Sequence, residues 1–141
     1  MVCGYNADSM LEVRLQTYWA DSDPAGIVYF AHFFRLVEQA EEELFLKTGT
    51  NRQKLLDEYQ VWLPRVEAHV NYFHPIKTGA AVRIQFIPKL IREKTVRLDF
   101  TLLADENSER LAEGYVTIVC VDQTSFKATP VPTPIRAAFG L

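Results

Sequence analysis

Asp21-Ser22-Asp23-Pro24-Ala25-Gly26-Ile27-Val28-Tyr29-Phe30 is where a strand-like period ends and a helical one begins. Pro24 fixes one φ and Gly26 permits tight or left-handed geometry, so the turn can be sharp. The apolar run that follows is predicted to open a helix whose first N–H groups lack intrahelical partners and point back toward the turn. Such a terminus suits a developing negative charge. Asp23, a carboxylate beside free backbone donors, can attack and help polarise a carbonyl without a metal, Ser or Cys.

Upstream, Leu11 to Tyr18 alternates, with Leu11, Val13, Leu15 and Thr17 opposed to Glu12, Arg14, Gln16 and Tyr18, which predicts a half-buried strand. Downstream, from about Val28 to Thr48, Phe30, Phe33, Val37, Ala40, Leu44 and Phe45 fall on one helical side, and Gly49 is a natural stop. Arg35, Gln39, Glu42, Glu43 and Lys47 mark the wetter side. A second short helix is predicted over Arg52 to Tyr59. Four more alternating stretches follow: Arg65 to Phe73, Ala81 to Ile87, Thr95 to Leu103 and Leu111 to Val121. Their short links favour antiparallel neighbours. The proline-rich tail from Thr129 leaves room for a short helix around Ile135 to Phe139.

This order predicts an α+β fold in which a five-stranded antiparallel sheet wraps one long helix, because the sheet is where the helix can bury its apolar stripe. Nothing resembling a repeat or linker divides residues 1–141, so a single domain is expected. The sheet's edge strands invite pairing with a second copy, and a homodimer or homotetramer is expected.

Composition narrows the function. The net charge of −3 argues against a nucleic-acid binder, which is usually basic. No apolar run is long enough for a membrane helix. Met1 to Asp8 lacks the basic and apolar regions of a signal peptide, and cytoplasm is the expected compartment. Cys3 and Cys120 make neither a disulfide framework nor a thiolate metal site, and Cys120 reads as a small core residue. His69 and His74 fall on opposite faces of a continuous strand, and His32 has no partner at metal spacing. No metal site is expected. Ser22 lacks the Gly-x-Ser-x-Gly elbow, and no glycine-rich phosphate loop is present.

Tyr18-Trp19-Ala20-Asp21-Ser22-Asp23-Pro24-Ala25-Gly26-Ile27-Val28-Tyr29-Phe30 resembles the signature of hotdog-fold acyl-CoA thioesterases of the 4-hydroxybenzoyl-CoA thioesterase type. The element order fits that family along nearly the whole chain. The resemblance implies that Asp23 is the catalytic carboxylate, as nucleophile or general base, and that the Phe30 N–H polarises the thioester carbonyl. It places Gly26, Ile27, Val28 and Tyr29 around the substrate, at a site on a dimer interface, with no cofactor beyond the CoA of the substrate itself. A branch acting on short-chain or lipid-linked acyl groups often carries His at the position of Phe30, so an aromatic there leans toward aryl-CoA. Glu38 matches an acidic position near the acyl hydroxyl of the 4-hydroxybenzoyl enzyme. Within this branch the chain also resembles the 1,4-dihydroxy-2-naphthoyl-CoA hydrolases of phylloquinone and menaquinone synthesis. An aliphatic acyl-CoA thioesterase and a non-catalytic acyl-CoA-binding module are the alternatives.

Each of these residues also has a plainer reading. Asp23 can be a turn residue, Asp21 a solvated neighbour and Glu38 a surface ion-pair partner. Glu41 falls nearer the middle of the apolar stripe and requires partners, which a dimer can supply. Lys89, Arg92, Lys94 and Arg97 form a basic run around one hairpin. Lys89, Arg92 and Lys94 can hold CoA phosphates or simply be solvated.

Overall fold

The structure, a computed structural model, describes residues 10–141. The expectations for Cys3 and for Met1 to Asp8 lie outside these residues. The chain runs β1 (Leu11–Gln16), α1 (His32–Lys47), α2 (Arg52–Tyr59), β2 (Val61–Trp62), β3 (Arg65–Tyr72), β4 (Ala81–Arg92), β5 (Thr95–Ala104), β6 (Arg110–Val119), β7 (Val121–Asp122) and α3 (Thr133–Ala138). Five strands form one antiparallel sheet in the order β1-β4-β5-β6-β3. The expected α+β arrangement is therefore present.

The core forms between α1 and one face of the sheet. Phe33, Leu36, Val37, Ala40, Leu44 and Phe45 are buried along the helix. They belong to the same cluster as Val82, Ile84 and Phe86 of β4, Leu98 and Phe100 of β5, and Val116 and Ile118 of β6. Alternation puts these strand residues on one face, and each fully buried large side chain contributes roughly 1.5–3 kcal/mol. Gly114 of β6 is required by packing, since a Cβ there would lie 1.9 Å from the His69 carbonyl oxygen of β3.

Several boundaries differ from the sequence expectation. The helix starts at His32 rather than near Val28, because Ile27 and Val28 are drawn into isolated bridges with Lys77 and Ser22. Phe30 consequently lies in the turn before α1 and is 60% exposed, not part of the core stripe. β4 continues to Arg92, which shortens the β4–β5 connection to a tight turn. The strand expected to run to Val121 breaks after Val119, and β7 then pairs with β2. Two-residue strands are too short to show a period.

Candidate active site

Asp23 stands in a turn closed by its own backbone: its N–H donates to the Ile27 carbonyl at 2.9 Å, and its carbonyl accepts from Gly26 at 3.0 Å. Gly26 has φ +78°, a conformation that favours glycine. The Asp23 Oδ1 atom accepts the Ala25 N–H at 2.8 Å, which fixes the carboxylate's orientation. The turn is tied to the β3–β4 connection through Val28 N–H to Ile76 O and Thr78 N–H to Gly26 O.

Asp23 lines two adjoining recesses. One, of about 330 Å³, is formed by Ile27, Val28, Phe30, Phe33, Tyr72, Phe73, His74 and Pro75, and is mainly apolar and aromatic. The other is more polar and is bounded by Trp19, Ser22, Pro24, Gly26 and Thr78. There the Thr78 hydroxyl donates to Ser22 Oγ at 2.7 Å. A larger apolar hollow of about 410 Å³ lies between α2, β2 and Phe126, but it contains no carboxylate, His or nucleophile. Volume and chemistry thus point to different places, and the chemistry favours the Asp23 cleft.

The turn into α1 borders the same cleft, through Phe30 and Phe33. Ala31 is its N-cap and provides no side-chain cap. The Tyr29 carbonyl accepts from His32 N–H at 2.9 Å, and the Phe30 carbonyl accepts from the Tyr72 hydroxyl at 2.8 Å. Among the described residues, no backbone carbonyl accepts the Phe30 N–H.

Asp21 departs from its expected place in solvent. It is only 5% exposed, accepts the Tyr18 N–H at 2.8 Å and has His32 Nδ1 3.9 Å from its other oxygen. Glu41 is buried as well, but its partners belong to the same chain: Arg52 at 2.8 Å and Arg65 in direct contact. Burial pushes its carboxyl above the ordinary value, against the opposing pull of Arg65 and Arg52.

Of the residues singled out by sequence, Asp23, Gly26, Ile27, Val28 and Phe30 are brought together. Tyr29 packs against Phe30 and His32 at the rim. Glu38 lies on the exposed side of α1, outside the cleft of its own chain. Lys89 is paired with Asp99 at 2.8 Å, while Arg92 and Lys94 are exposed at the β4–β5 turn. Tyr72, Phe73, His74 and Pro75 were missed, since nothing local marks them as neighbours of Asp23. Among the described residues, no three His, Cys, Asp or Glu side chains converge as a metal site. No helix there is long and apolar enough to cross a membrane.

Residues 17–139 match the family model described as the thioesterase-like superfamily. The chain belongs to this family. It is 28% identical over 123 residues to a 1,4-dihydroxy-2-naphthoyl-CoA hydrolase of Microcystis aeruginosa, covering 87% of this chain and 88% of the relative. An acyl-CoA thioesterase of Haemophilus influenzae is 24% identical over 94% of this chain and 96% of its own length. Among solved structures, a 1,4-dihydroxy-2-naphthoyl-CoA thioesterase from Synechocystis superposes with a TM-score of 0.86 at 24% identity, covering 94% of this chain and 96% of that one. The sheet-and-helix architecture is therefore the hotdog fold of thioesterases.

Proposed function

We propose that this chain is an acyl-CoA thioesterase that hydrolyses an aromatic acyl-CoA to the free acid and CoA. Its best-fitting substrate is 1,4-dihydroxy-2-naphthoyl-CoA, an intermediate of phylloquinone and menaquinone synthesis. The observation that carries this reading is the placement of Asp23 on the wall of an aromatic cleft beside the uncapped start of α1. The cleft volume lies within the range of about 300–1,000 Å³ usual for small-molecule sites. The Microcystis relative is a 1,4-dihydroxy-2-naphthoyl-CoA hydrolase and the Haemophilus relative an acyl-CoA thioesterase, which supports the reading further.

In this mechanism the acyl ring occupies the recess of Phe30, Phe33, Tyr72 and Phe73, and the thioester carbonyl lies at the α1 start. Backbone N–H groups there, Phe30 foremost, stabilise the oxyanion as it forms. Asp23 uses its remaining oxygen in one of two ways. As nucleophile it forms an acyl anhydride and releases the CoA thiolate, and water then cleaves the anhydride. As general base it takes a proton from the attacking water.

β3 is an edge strand of eight residues, most of them exposed, and pairing with a second copy along it is the proposed assembly. Glu38, exposed in its own chain, would reach an acyl hydroxyl only from that copy. Arg92 and Lys94 are the proposed cations for CoA phosphates.

The test is thiol release from 1,4-dihydroxy-2-naphthoyl-CoA, 4-hydroxybenzoyl-CoA, benzoyl-CoA and palmitoyl-CoA, with wild type and Asp23→Asn. Asp23-dependent turnover of the naphthoyl substrate above the others is expected. Preference for palmitoyl-CoA would overturn the aromatic assignment, and absence of turnover on every member would overturn the enzymatic one.

A further inference from the structure

Tyr72 touches the beginning of α1 twice. Its ring meets Phe33 edge-on, with centroids 4.8 Å apart and planes at 87°, and its hydroxyl donates to the Phe30 carbonyl at 2.8 Å. It stands at the last position of β3, so the contact joins the sheet's edge to the turn that carries the carbonyl-polarising donors.

The consequence follows from peptide geometry. In a trans peptide the C=O and N–H point in opposite directions, and all the peptides here are trans. Holding the oxygen therefore aims the hydrogen. The Tyr29–Phe30 peptide is held by the backbone itself, through His32 N–H on the Tyr29 oxygen at 2.9 Å. The Phe30–Ala31 peptide has only a long backbone bond, from Phe33 N–H at 3.4 Å, and its short bond comes from the Tyr72 side chain. One of the two peptide planes flanking the Phe30 Cα is thus set by a side chain 42 residues away in sequence.

We infer that Tyr72 is a positioning residue for hydrolysis: through its hydroxyl it holds the Phe30–Ala31 peptide, so that the Ala31 N–H, which no backbone carbonyl accepts among the described residues, is pre-aimed at the thioester oxyanion beside the Phe30 N–H. This rests on the proposed thioesterase function. Burial holds the phenol above its ordinary value, so Tyr72 remains a donor throughout the neutral range. Preorganised donors lower the barrier without tightening ground-state binding, so the loss should fall on kcat.

The experiment compares wild type, Tyr72→Phe, Tyr72→Ala and Asp23→Asn on the best substrate of the panel, with kcat expressed per folded protein from circular dichroism. Tyr72→Phe keeps the ring on Phe33 and removes only the hydroxyl. Its kcat is expected to fall about tenfold, with KM within about twofold and little change in melting temperature. Wild-type kcat in Tyr72→Phe would overturn the inference, whether or not the variant melts earlier, and a loss confined to Tyr72→Ala would reduce Tyr72 to ring packing. With Asp23→Asn inactive and Tyr72→Phe fully active, only this inference fails. With no turnover by wild type on any member of the panel, both it and the proposed function fail.

Discussion

The Oδ1 atom of Asp23 accepts the Ala25 N–H at 2.8 Å, so a single carboxylate both shapes its turn and faces the cleft. The two roles separate by substitution. Asn at position 23 can still accept from Ala25 but carries no charge, whereas Ala does neither. Asp23→Asn is expected to lower kcat on the order of a thousandfold while changing stability by less than about 0.5 kcal/mol. Asp23→Ala should lose the same activity and about 1 kcal/mol of stability besides. Chemical denaturation alongside thiol-release kinetics checks both, and an Asp23→Asn variant with wild-type kcat would remove the carboxylate from the mechanism.

Glu41 joins three elements, since α1 bears the carboxylate, α2 opens with Arg52 and β3 opens with Arg65. Glu41→Ala leaves two guanidinium groups without their central partner and is expected to cost about 3–5 kcal/mol. The pH dependence has a definite sign. Glu41 is held above its ordinary value mainly by burial, so the folded chain binds more protons than the unfolded one between the two values. Its stabilising contribution is full below the unfolded value and is lost as pH rises through the folded one. The melting-temperature gap between wild type and Glu41→Gln should narrow from about pH 4 upward. A gap that widens over that range would contradict the direction.

The strands and the long helix were legible because their periods, two and 3.6, are written locally in residues such as Val82, Ile84 and Phe86 or Phe33, Val37 and Ala40. The start of α1 was not. The apolar Ile27 and Val28 look helical until Lys77 and Ser22 pair with them. Asp23 and Gly26 were legible as a motif. Asp21 was not, because its burial depends on the Tyr18 N–H and on His32 eleven residues later. A charge at position 41 signalled that partners must exist without naming Arg52 or Arg65. Tyr72 could be found only once the topology set the edge strand beside the α1 start.

Gly114 tests how tightly that edge is fixed. A Cβ at this position would meet the His69 carbonyl oxygen at 1.9 Å and the Phe100 ring at 2.9 Å, and the first of these is backbone that cannot swing aside. Gly114→Ala must therefore push β3 away from β6. A loss of about 3 kcal/mol or more is expected, beyond ordinary overpacking because the obstacle is main chain. Since β3 carries Tyr72, any folded fraction should also show reduced kcat. Thermal melts and activity of the purified variant measure the two effects, and a wild-type melting temperature would show that the strands separate without cost.

Cys120 provides a probe of the core that is independent of catalysis. Its side chain is buried, and burial pushes the thiol up to about 11. Thiolate, not thiol, reacts with alkylating agents, so at about pH 8 the group is both shielded and protonated. The Cys120 peptide should remain unmodified by iodoacetamide in the native protein and become fully alkylated in about 6 M guanidinium, as read by peptide mass mapping. In Gly114→Ala the same peptide should label faster, because Cys120 follows directly on β6, the strand from which this substitution parts β3. Rapid labelling of native wild type would mean that the sheet opens at this end far more readily than its packing implies.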